Sequence, residues 1–358
     1  MISGVSSSKA SEASFSLPQG SLDKSELLML WSQPLKLFSL ANALRSRSCG
    51  DDVSFVVNRN INFTNRCVGS CKFCAFHRDD GYFLSLKDIL ERVEKAAAMG
   101  ATEICLQGGL APDMFLGDYC EILETIHRSY PKMHLHAYSP MEVMHMSRNS
   151  RVPIERSLQE LKRCGLGSMP GTAAEILVDS VRKQICPGKL TTSQWRKIVS
   201  AAHVLGIPTT STMLYGHVEK FEDRLEHFQV LREIQAETHG FTEFVLLPFM
   251  PGNNLLGLEA HRPPDLLEHL KMHALARVAL YPLITNIQAS WTKLGRDIAA
   301  ATLDWGVNDL GGTLMEENIS RSAGAREAQY LSPEELRGLI ELQGRRAVQR
   351  TTLYERLS

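Results

Sequence analysis

Apolar positions follow two spacings along the chain, and each spacing predicts a different kind of element. Short runs rich in Val, Ile, Phe and Leu are typical of strands, whereas apolar residues that recur every three or four positions are typical of amphipathic helices. The predicted strands are residues 53–65, 101–109, 133–140, 166–172, 207–216, 241–249, 283–290 and 307–312. The predicted helices between them are residues 85–100, 117–131, 153–165, 193–206, 224–240, 265–280 and 295–306.

This alternation of strands and helices predicts parallel strands joined by right-handed crossovers. About eight strands favour a (β/α)8 TIM-type barrel over an open doubly wound sheet. The G-x-G-x-x-G sequence that opens a dinucleotide-binding sheet is absent after the first strand. We therefore predict a disordered tail over residues 1–20, a helical N-terminal extension over 21–55 with a break at Pro34, the barrel over 56–330 and a C-terminal helix over 331–358. The arginines of "GRRAVQR", residues 344–350, are expected on the solvated face of that last helix.

Composition narrows the classes of protein that the chain can represent. Hydrophobic residues make up 44% and charged residues 22%, which is ordinary for a globular protein, and the formal net charge is -1. No basic field exists to bind a nucleic acid, and no apolar run reaches the length of a membrane span. The Ser-rich N-terminus lacks the apolar core of a secretory signal, and Glu12 is unusual for a transit peptide. We expect a cytoplasmic protein.

Three of the eight cysteines form a cluster, Cys67-x3-Cys71-x2-Cys74, directly after the first predicted strand. In a barrel, the loops that follow the strands carry the chemistry. Three structural cysteines on one short loop would be unusual. A zinc site is an alternative, since His77 completes a Cys3His ligand set. The other interpretation is an iron–sulfur cubane held by three thiolates, whose fourth iron stays open for another ligand.

The x3/x2 spacing, with Phe73 directly before the last cysteine, resembles the signature of the radical S-adenosylmethionine enzymes. The resemblance implies that Cys67, Cys71 and Cys74 bind a [4Fe-4S] cluster and that Phe73 lies beside the cofactor. The open iron would chelate S-adenosylmethionine, and an electron donor such as ferredoxin or flavodoxin would reduce the cluster. A barrel mouth suits this chemistry, because a primary alkyl radical needs a closed, dry cavity.

Further cofactor contacts are expected on the loops after the second, third and fourth strands. The string "LQGGL" resembles the glycine motif of this superfamily, which assigns Gln107, Gly108 and Gly109 to the cofactor. Ser139 and Glu142 follow the third strand and Glu175 the fourth. The alternatives are a helix cap for Ser139 and a solvated side chain for Glu142.

Other polar residues near the strand ends are candidates for substrate binding. Arg182 or Lys189 could bind a carboxylate, an arginine through a bidentate fork. The alternatives are surface ion pairs for the cations and structural roles for the histidines. The predicted substrate-binding residues are His136, Arg182, Thr212, Tyr215 and His217.

The strings "NRNINFTNRC", "ATEICLQGGL", "HAYSPME", "PGTAAEIL" and "ENISRSAGA" together resemble one branch of the superfamily. That branch contains the second component of FO synthase, a 4-hydroxyphenyl transferase, and the menaquinone-route enzymes dehypoxanthine futalosine cyclase and aminofutalosine synthase. "PGTAAEIL" favours the transferase, whereas "LLPFMPGNNLLG" favours the cyclases.

The transferase interpretation implies that L-tyrosine and 5-amino-6-(D-ribitylamino)uracil are the substrates. It also implies a partner, the first FO synthase component, which would take up the product for coenzyme F-420 biosynthesis. A radical cyclase of the same branch remains the alternative. An alternative of another class is a zinc-stabilised barrel that acts as a hydrolase or a binding protein.

Overall fold

A computed structural model describes residues 20–259, 263–316, 318–324 and 330–357. Its strands, β1 to β9, span Asp52–Val56, Asn58–Asn62, Glu103–Gln107, His134–Ala137, Thr209–Tyr215, Phe241–Pro248, Ile287–Ala289, Asp309–Gly312 and Arg346–Gln349. Its helices, α1 to α14, span Lys24–Trp31, Pro34–Cys49, Leu86–Ala98, Leu116–Ser129, Pro140–Ser150, Ile154–Arg163, Asp179–Ile185, Thr192–Val204, Phe221–Thr238, Leu266–Leu280, Trp291–Leu294, Arg296–Ala301, Asn318–Ser322 and Pro333–Leu342.

The strands form two parallel sheets in the order expected of a TIM-type barrel. One sheet has the order β5-β6-β7-β8-β1-β9 and the other β2-β3-β4. Single bridges, His136 to Ser168 and Met169 to Thr209, connect β4 to β5. The predicted fourth strand, residues 166–172, thus contributes only these bridges. The α/β class and the parallel pairing are confirmed, although no uninterrupted ladder closes the barrel within the described residues.

The first predicted strand, residues 53–65, is divided between the two sheets. β1 pairs with β8 and β9, whereas β2 pairs with β3. The Asn60 N–H donates to the Leu314 carbonyl at 2.8 Å, which joins the sheets on this side. Because the strand is divided in this way, the end of β2 and the segment after β8 lie at the same part of the barrel mouth. The chain leads from β2 into the three cysteines.

The helices cover the sheets with their apolar faces, as their periodicity predicts. In α3, Ile89, Val93 and Ala96 are buried at spacings of three and four residues. Ser85 caps this helix by accepting from the Asp88 N–H. Gly100, with a φ of +78°, follows its last turn in the left-handed conformation that glycine adopts without strain.

Two helices precede the first strand, in agreement with a helical N-terminal segment. Pro34 opens α2 at the predicted break, and α2 packs against α10. The extension is shorter than expected, because β1 begins at Asp52. The predicted disordered tail lies outside the described residues except for Gly20. Within the described ranges, no helix has both the length and the apolar character needed to cross a membrane.

The prediction of a helix over residues 331–358 is correct only for α14. The following segment forms β9, which runs parallel to β1. Arg350 is only 3% exposed, because its guanidinium pairs with Asp309 at 2.6 Å and Glu243 at 3.3 Å. The sequence pattern predicts that Arg345, Arg346 and Arg350 face solvent. Carboxylates from β8 and β6 instead compensate the buried charge.

Candidate active site

The cysteine loop, residues 63–78, follows β2 and folds over the barrel mouth. The Val68 N–H donates to the Leu110 carbonyl at 3.0 Å, and the Lys72 N–H to the Ile185 carbonyl at 2.9 Å. These bonds tie the loop to segments that are distant in the sequence. Its cysteines are half-buried and line one cavity; they are Cys67, Cys71 and Cys74. The loop position predicted from the sequence is therefore confirmed.

This cavity, called the cysteine cavity below, has a volume of about 260 Å³. The ends of several strands and their following loops contribute to its wall, as in other barrels. Every residue predicted to contact the cofactor lines it: Cys67, Cys71, Phe73, Cys74, Gln107, Gly108, Gly109, Ser139, Glu142 and Glu175. Tertiary structure thus brings together residues that the sequence distributes over more than a hundred positions.

The two glycines after β3 permit close packing of the chain against itself. A Cβ on Gly108 would lie 2.4 Å from Cζ of Phe63, and a Cβ on Gly109 would lie 2.1 Å from the Arg66 carbonyl oxygen. The Gly109 N–H donates to the Thr64 carbonyl at 2.9 Å. Both glycines are therefore needed to seat the cysteine loop on β3. Their contact with a cofactor stays a prediction.

Glu142 links the glycine turn to helix α5, which the sequence analysis did not predict. The Gly108 N–H donates to Glu142 Oε1 at 3.0 Å, while the Ser139 hydroxyl donates to Oε2 at 2.7 Å. Ser139 is the N-cap of α5, as one alternative proposed, but Glu142 is buried rather than solvated. Burial raises the pKa of Glu142 to about 7, although the hydrogen bonds from Ser139 and Gly108 oppose this shift.

A cation lies directly beside the thiols. Lys189 Nζ is 2.5 Å from Glu175 Oε1 and 5.1 Å from the centre of the Phe73 ring. Burial alone would lower the pKa of Lys189, but the charges of Cys71 and Glu175 raise it. Burial also raises the pKa of Cys71 to about 12, against the attraction of Lys189. The site therefore holds a fixed positive charge where thiolate ligands would need one.

Arg182 forms hydrogen bonds to the backbone of the turn that carries Glu175. Its guanidinium donates to the carbonyls of Leu190 at 2.7 Å, Ala173 at 3.0 Å and Ile176 at 3.3 Å. Ala173 and Glu175 both have positive φ, 63° and 46°, which is unfavourable for side chains with a Cβ. Arg182 holds this strained turn in place. Arg182 therefore supports the turn that carries Glu175, and its contact with a substrate stays a prediction.

The other predicted substrate-binding residues are also buried, and none of them lines the cysteine cavity. Each has a partner inside the protein: His136 Nδ1 lies 2.7 Å from Ser168 Oγ, Thr212 Oγ1 donates to the Gly171 carbonyl at 3.1 Å, Tyr215 OH lies 2.6 Å from His269 Nδ1, and His217 Nδ1 lies 3.1 Å from Glu219 Oε2. The sequence located these residues near strand ends, but it did not show which way their side chains point.

Sequence reasoning missed a largely apolar part of the cavity lining that comes from β6 and α11. Leu247, Phe249 and Met250 line it at the end of β6, and Lys293 lines it on α11. Phe249 ends a predicted strand and Met250 directly follows it, so their position at a strand end was available as a signal. Nothing local in the sequence distinguishes them from core residues.

The donor set fits an iron–sulfur cluster better than a zinc ion. His77 lines the cavity, but its Nε2 lies 3.8 Å from Asp79 Oδ1. In the described part of the chain, no three His, Cys, Asp or Glu side chains converge to hold a single metal ion. A cubane places each thiolate on a different iron, so its ligands surround a cavity rather than meet at a point. The three thiols, which all line the cysteine cavity, fit that requirement.

Comparison with known proteins agrees with this site. The sequence profile described as the Radical SAM superfamily matches residues 61–231, and the CofH/MqnC C-terminal region matches residues 238–357. Among solved structures, methylornithine synthase superimposes with a TM-score of 0.74 at 17% identity, covering 92% of this chain and 95% of that one. The FeFe-hydrogenase maturase HydG from Carboxydothermus hydrogenoformans gives 0.70 at 17% identity, covering 92% and 81%. At this identity the two structures establish the fold alone.

Curated relatives are much closer in sequence. A 5-amino-6-(D-ribitylamino)uracil–L-tyrosine 4-hydroxyphenyl transferase of Methanosarcina mazei is 54% identical over 332 residues, which cover 92% of this chain and 88% of that protein. The enzyme of that name from Archaeoglobus fulgidus is 52% identical over 325 residues, covering 91% and 94%. This chain belongs to the radical SAM superfamily and, within it, to the family of these 4-hydroxyphenyl transferases.

Proposed function

We propose that this chain is a radical S-adenosylmethionine enzyme that transfers the 4-hydroxybenzyl group of L-tyrosine to 5-amino-6-(D-ribitylamino)uracil. The observation that carries the proposal is the 54% identity to the Methanosarcina mazei transferase over 92% of the chain. Likeness over nearly the whole length includes both the cysteine loop and the C-terminal region. The zinc-stabilised hydrolase or binding protein is set aside, since the chain belongs to the radical SAM superfamily.

The three thiols of the cysteine loop would hold a [4Fe-4S] cluster and leave the fourth iron open to S-adenosylmethionine. When bound, the cluster supplies the electron that cleaves S-adenosylmethionine and so starts the radical reaction on tyrosine. Lys189 offsets the negative charge of the thiolates. The residues proposed to contact S-adenosylmethionine are Phe73, Gln107, Gly108, Gly109, Ser139, Glu142 and Glu175, because they line the cavity beside the thiols.

The apolar part of the cavity lining after β6 suits the amino acid substrate. Leu247, Phe249 and Met250 present apolar surface to the cavity, which fits the aromatic ring of tyrosine. Lys293 also lines this part of the cavity. These side chains would orient tyrosine towards the thiol side. They also exclude water from a reactive radical.

The remaining elements of the proposal rest on the resemblance alone. The product would pass to the first FO synthase component, and ferredoxin or flavodoxin would supply electrons. A cytoplasmic location also remains a prediction.

A product assay tests the proposal directly. Anaerobic protein reconstituted with iron and sulfide is incubated with dithionite, S-adenosylmethionine, L-tyrosine and 5-amino-6-(D-ribitylamino)uracil, and products are identified by mass spectrometry. We expect 5′-deoxyadenosine together with the 4-hydroxybenzyl adduct of the diaminouracil. A triple variant with Cys67, Cys71 and Cys74 replaced by serine should form neither product and bind little iron, whereas Cys49→Ser should behave as the wild type.

The radical cyclases of the same branch are the second candidate. The profile of the C-terminal region carries the names CofH and MqnC together, so the match to residues 238–357 is compatible with either activity. The same assay separates them. If 5′-deoxyadenosine forms only with futalosine-type substrates and never with tyrosine, the transferase proposal is wrong.

A further inference from the structure

A second cavity, called the polar cavity below, lies beside the cysteine cavity and has a volume of about 460 Å³. The cysteine loop, α3 and the segment after β8 enclose it. Phe76 lines both cavities and is therefore the partition between them. The volume falls within the range of small-molecule sites, about 300–1,000 Å³. A ligand in the polar cavity would lie one side chain away from the reaction site.

The polar cavity is lined by hydrogen-bonding groups, in contrast to the apolar residues Leu247, Phe249 and Met250 of the cysteine cavity. Glu316 is fixed in place, because its Oε2 lies 2.9 Å from Arg59 Nη2 and 3.3 Å from Arg92 Nε. Arg78 and Arg321 add N–H donors to the lining. The remaining polar lining residues are Asn62, Asn65, Tyr82, Asn318 and Ser322. Such a lining favours a ligand rich in carbonyl and hydroxyl groups.

Asn62 indicates that a ligand donor is missing. This residue is only 4% exposed, and its Oδ1 is buried with no hydrogen-bond partner among the described residues. Its Nδ2 lies 3.5 Å from the carbonyl oxygen of Gln107, which lines the cysteine cavity. Buried polar atoms are nearly always paired, so an unpaired acceptor on a residue that lines a cavity calls for an N–H or O–H from beyond the described residues, such as that of a ligand. Asn62 thus lines the polar cavity and contacts a residue that lines the cysteine cavity.

We propose that the polar cavity binds the hydroxylated pyrimidine substrate, 5-amino-6-(D-ribitylamino)uracil. The inference rests on the proposed function and goes further by assigning the two substrates to two cavities. A pyrimidinedione offers carbonyl oxygens to arginine donors and a ring N–H to Asn62 Oδ1, and its ribityl hydroxyls match the asparagines and Ser322. The aromatic amino acid belongs to the apolar cysteine cavity. Phe76, which lines both cavities, would lie next to both substrates.

Binding measurements on anaerobic, cluster-loaded protein test the assignment. Calorimetry with 5-amino-6-(D-ribitylamino)uracil should show a Kd weakened by about tenfold in Arg321→Gln and in Asn62→Ala, as expected for one lost hydrogen bond of about 1.4 kcal/mol. The Kd of L-tyrosine and the formation of 5′-deoxyadenosine with tyrosine should stay within about twofold of the wild type, since tyrosine binds elsewhere. Arg321 is exposed, so its variant remains informative if Asn62→Ala does not fold.

Arg66→Gln is the matched control, because Arg66 lies on the cysteine loop and pairs with Asp113 outside both cavities. It should bind the diaminouracil normally. An unchanged diaminouracil Kd in Arg321→Gln and Asn62→Ala would overturn the assignment, and so would a selective loss of tyrosine binding. Failure of the proposed function is distinguishable, because the wild type itself would then neither bind the diaminouracil nor form the adduct.

Discussion

Glu175 and Lys189 form an ion pair at the edge of the cysteine cavity, with Oε1 and Nζ 2.5 Å apart and side chains only 11% and 17% exposed. The pair connects the turn after the fourth strand position to the cysteine loop, because Lys189 also lies over the Phe73 ring. Neither residue has an ion-pairing partner near it in the sequence. Their meeting is a consequence of the barrel, and it places one charge of each sign beside the thiols.

Replacing Lys189 by methionine should destabilise the protein by about 3 kcal/mol, because it leaves the Glu175 carboxylate buried without its cation. Urea unfolding of the cluster-free protein measures this loss. Lys183→Met is the control, since Lys183 is exposed on the neighbouring helix α7 and should change stability by less than about 0.5 kcal/mol. Equal stability of the two variants would show that the ion pair is not formed.

Gly109→Ala should lower both stability and iron content. The new Cβ would lie 2.1 Å from the Arg66 carbonyl oxygen, so the cysteine loop must move, at a cost of about 1–3 kcal/mol. Thermal unfolding and iron analysis after anaerobic reconstitution measure the two effects.

Gly117→Ala provides the comparison for that variant. Nothing lies within 4 Å of a Cβ at Gly117, which is in helix α4, so alanine should be neutral or slightly stabilising there. A Gly109→Ala protein with wild-type stability and iron content would contradict the role assigned to the glycine turn.

Glu142 should give the protein a distinctive pH dependence. Burial raises its folded-state pKa from an ordinary value of 4.5 to about 7. The folded protein therefore binds the proton more tightly than the unfolded chain, and this contribution to stability is present below pH 4.5 and lost as the pH rises through about 7. The shift corresponds to at most about 3 kcal/mol.

Urea unfolding at several pH values between 5 and 8 tests this linkage in the wild type and Glu142→Gln. Glutamine does not titrate, so the fall in stability with rising pH should be smaller in the variant, whatever its absolute stability. Parallel curves for the two proteins would mean that Glu142 titrates normally in the folded state.

Arg350 should be essential to the fold, although it lies only a few residues from the C-terminus. Replacement by methionine leaves Asp309 and Glu243 buried without their shared cation, which should cost about 3–5 kcal/mol. Arg346→Gln is the matched control, because the Arg346 side chain is 69% exposed beside Asp52 and its replacement should change stability little. Chemical denaturation of both variants gives the comparison. An Arg350→Met protein as stable as the wild type would show that the ion pairs with Asp309 and Glu243 do not stabilise the fold.

The sequence alone determined the features that depend on neighbouring residues. Helix periodicity, the break at Pro34 and the Gly100 terminus are local, because hydrogen bonds in a helix join residues four apart. The cysteine spacing is local too, since Cys67, Cys71 and Cys74 lie within eight residues of one another. The alternation of strands and helices then specified parallel pairing, because a crossover through a helix returns the chain in the same direction.

Tertiary structure alone decided which side chains meet. His136 and Tyr215 lie near strand ends, as polar active-site residues do, and Arg182 lies in helix α7. Burial beside Ser168, His269 and backbone carbonyls nevertheless keeps all three out of the cysteine cavity. β9 could not be foreseen either, because the partners of Arg350 lie 41 and 107 residues away along the chain. A sequence pattern reports the environment that a residue needs, and only the folded chain shows which distant residue supplies it.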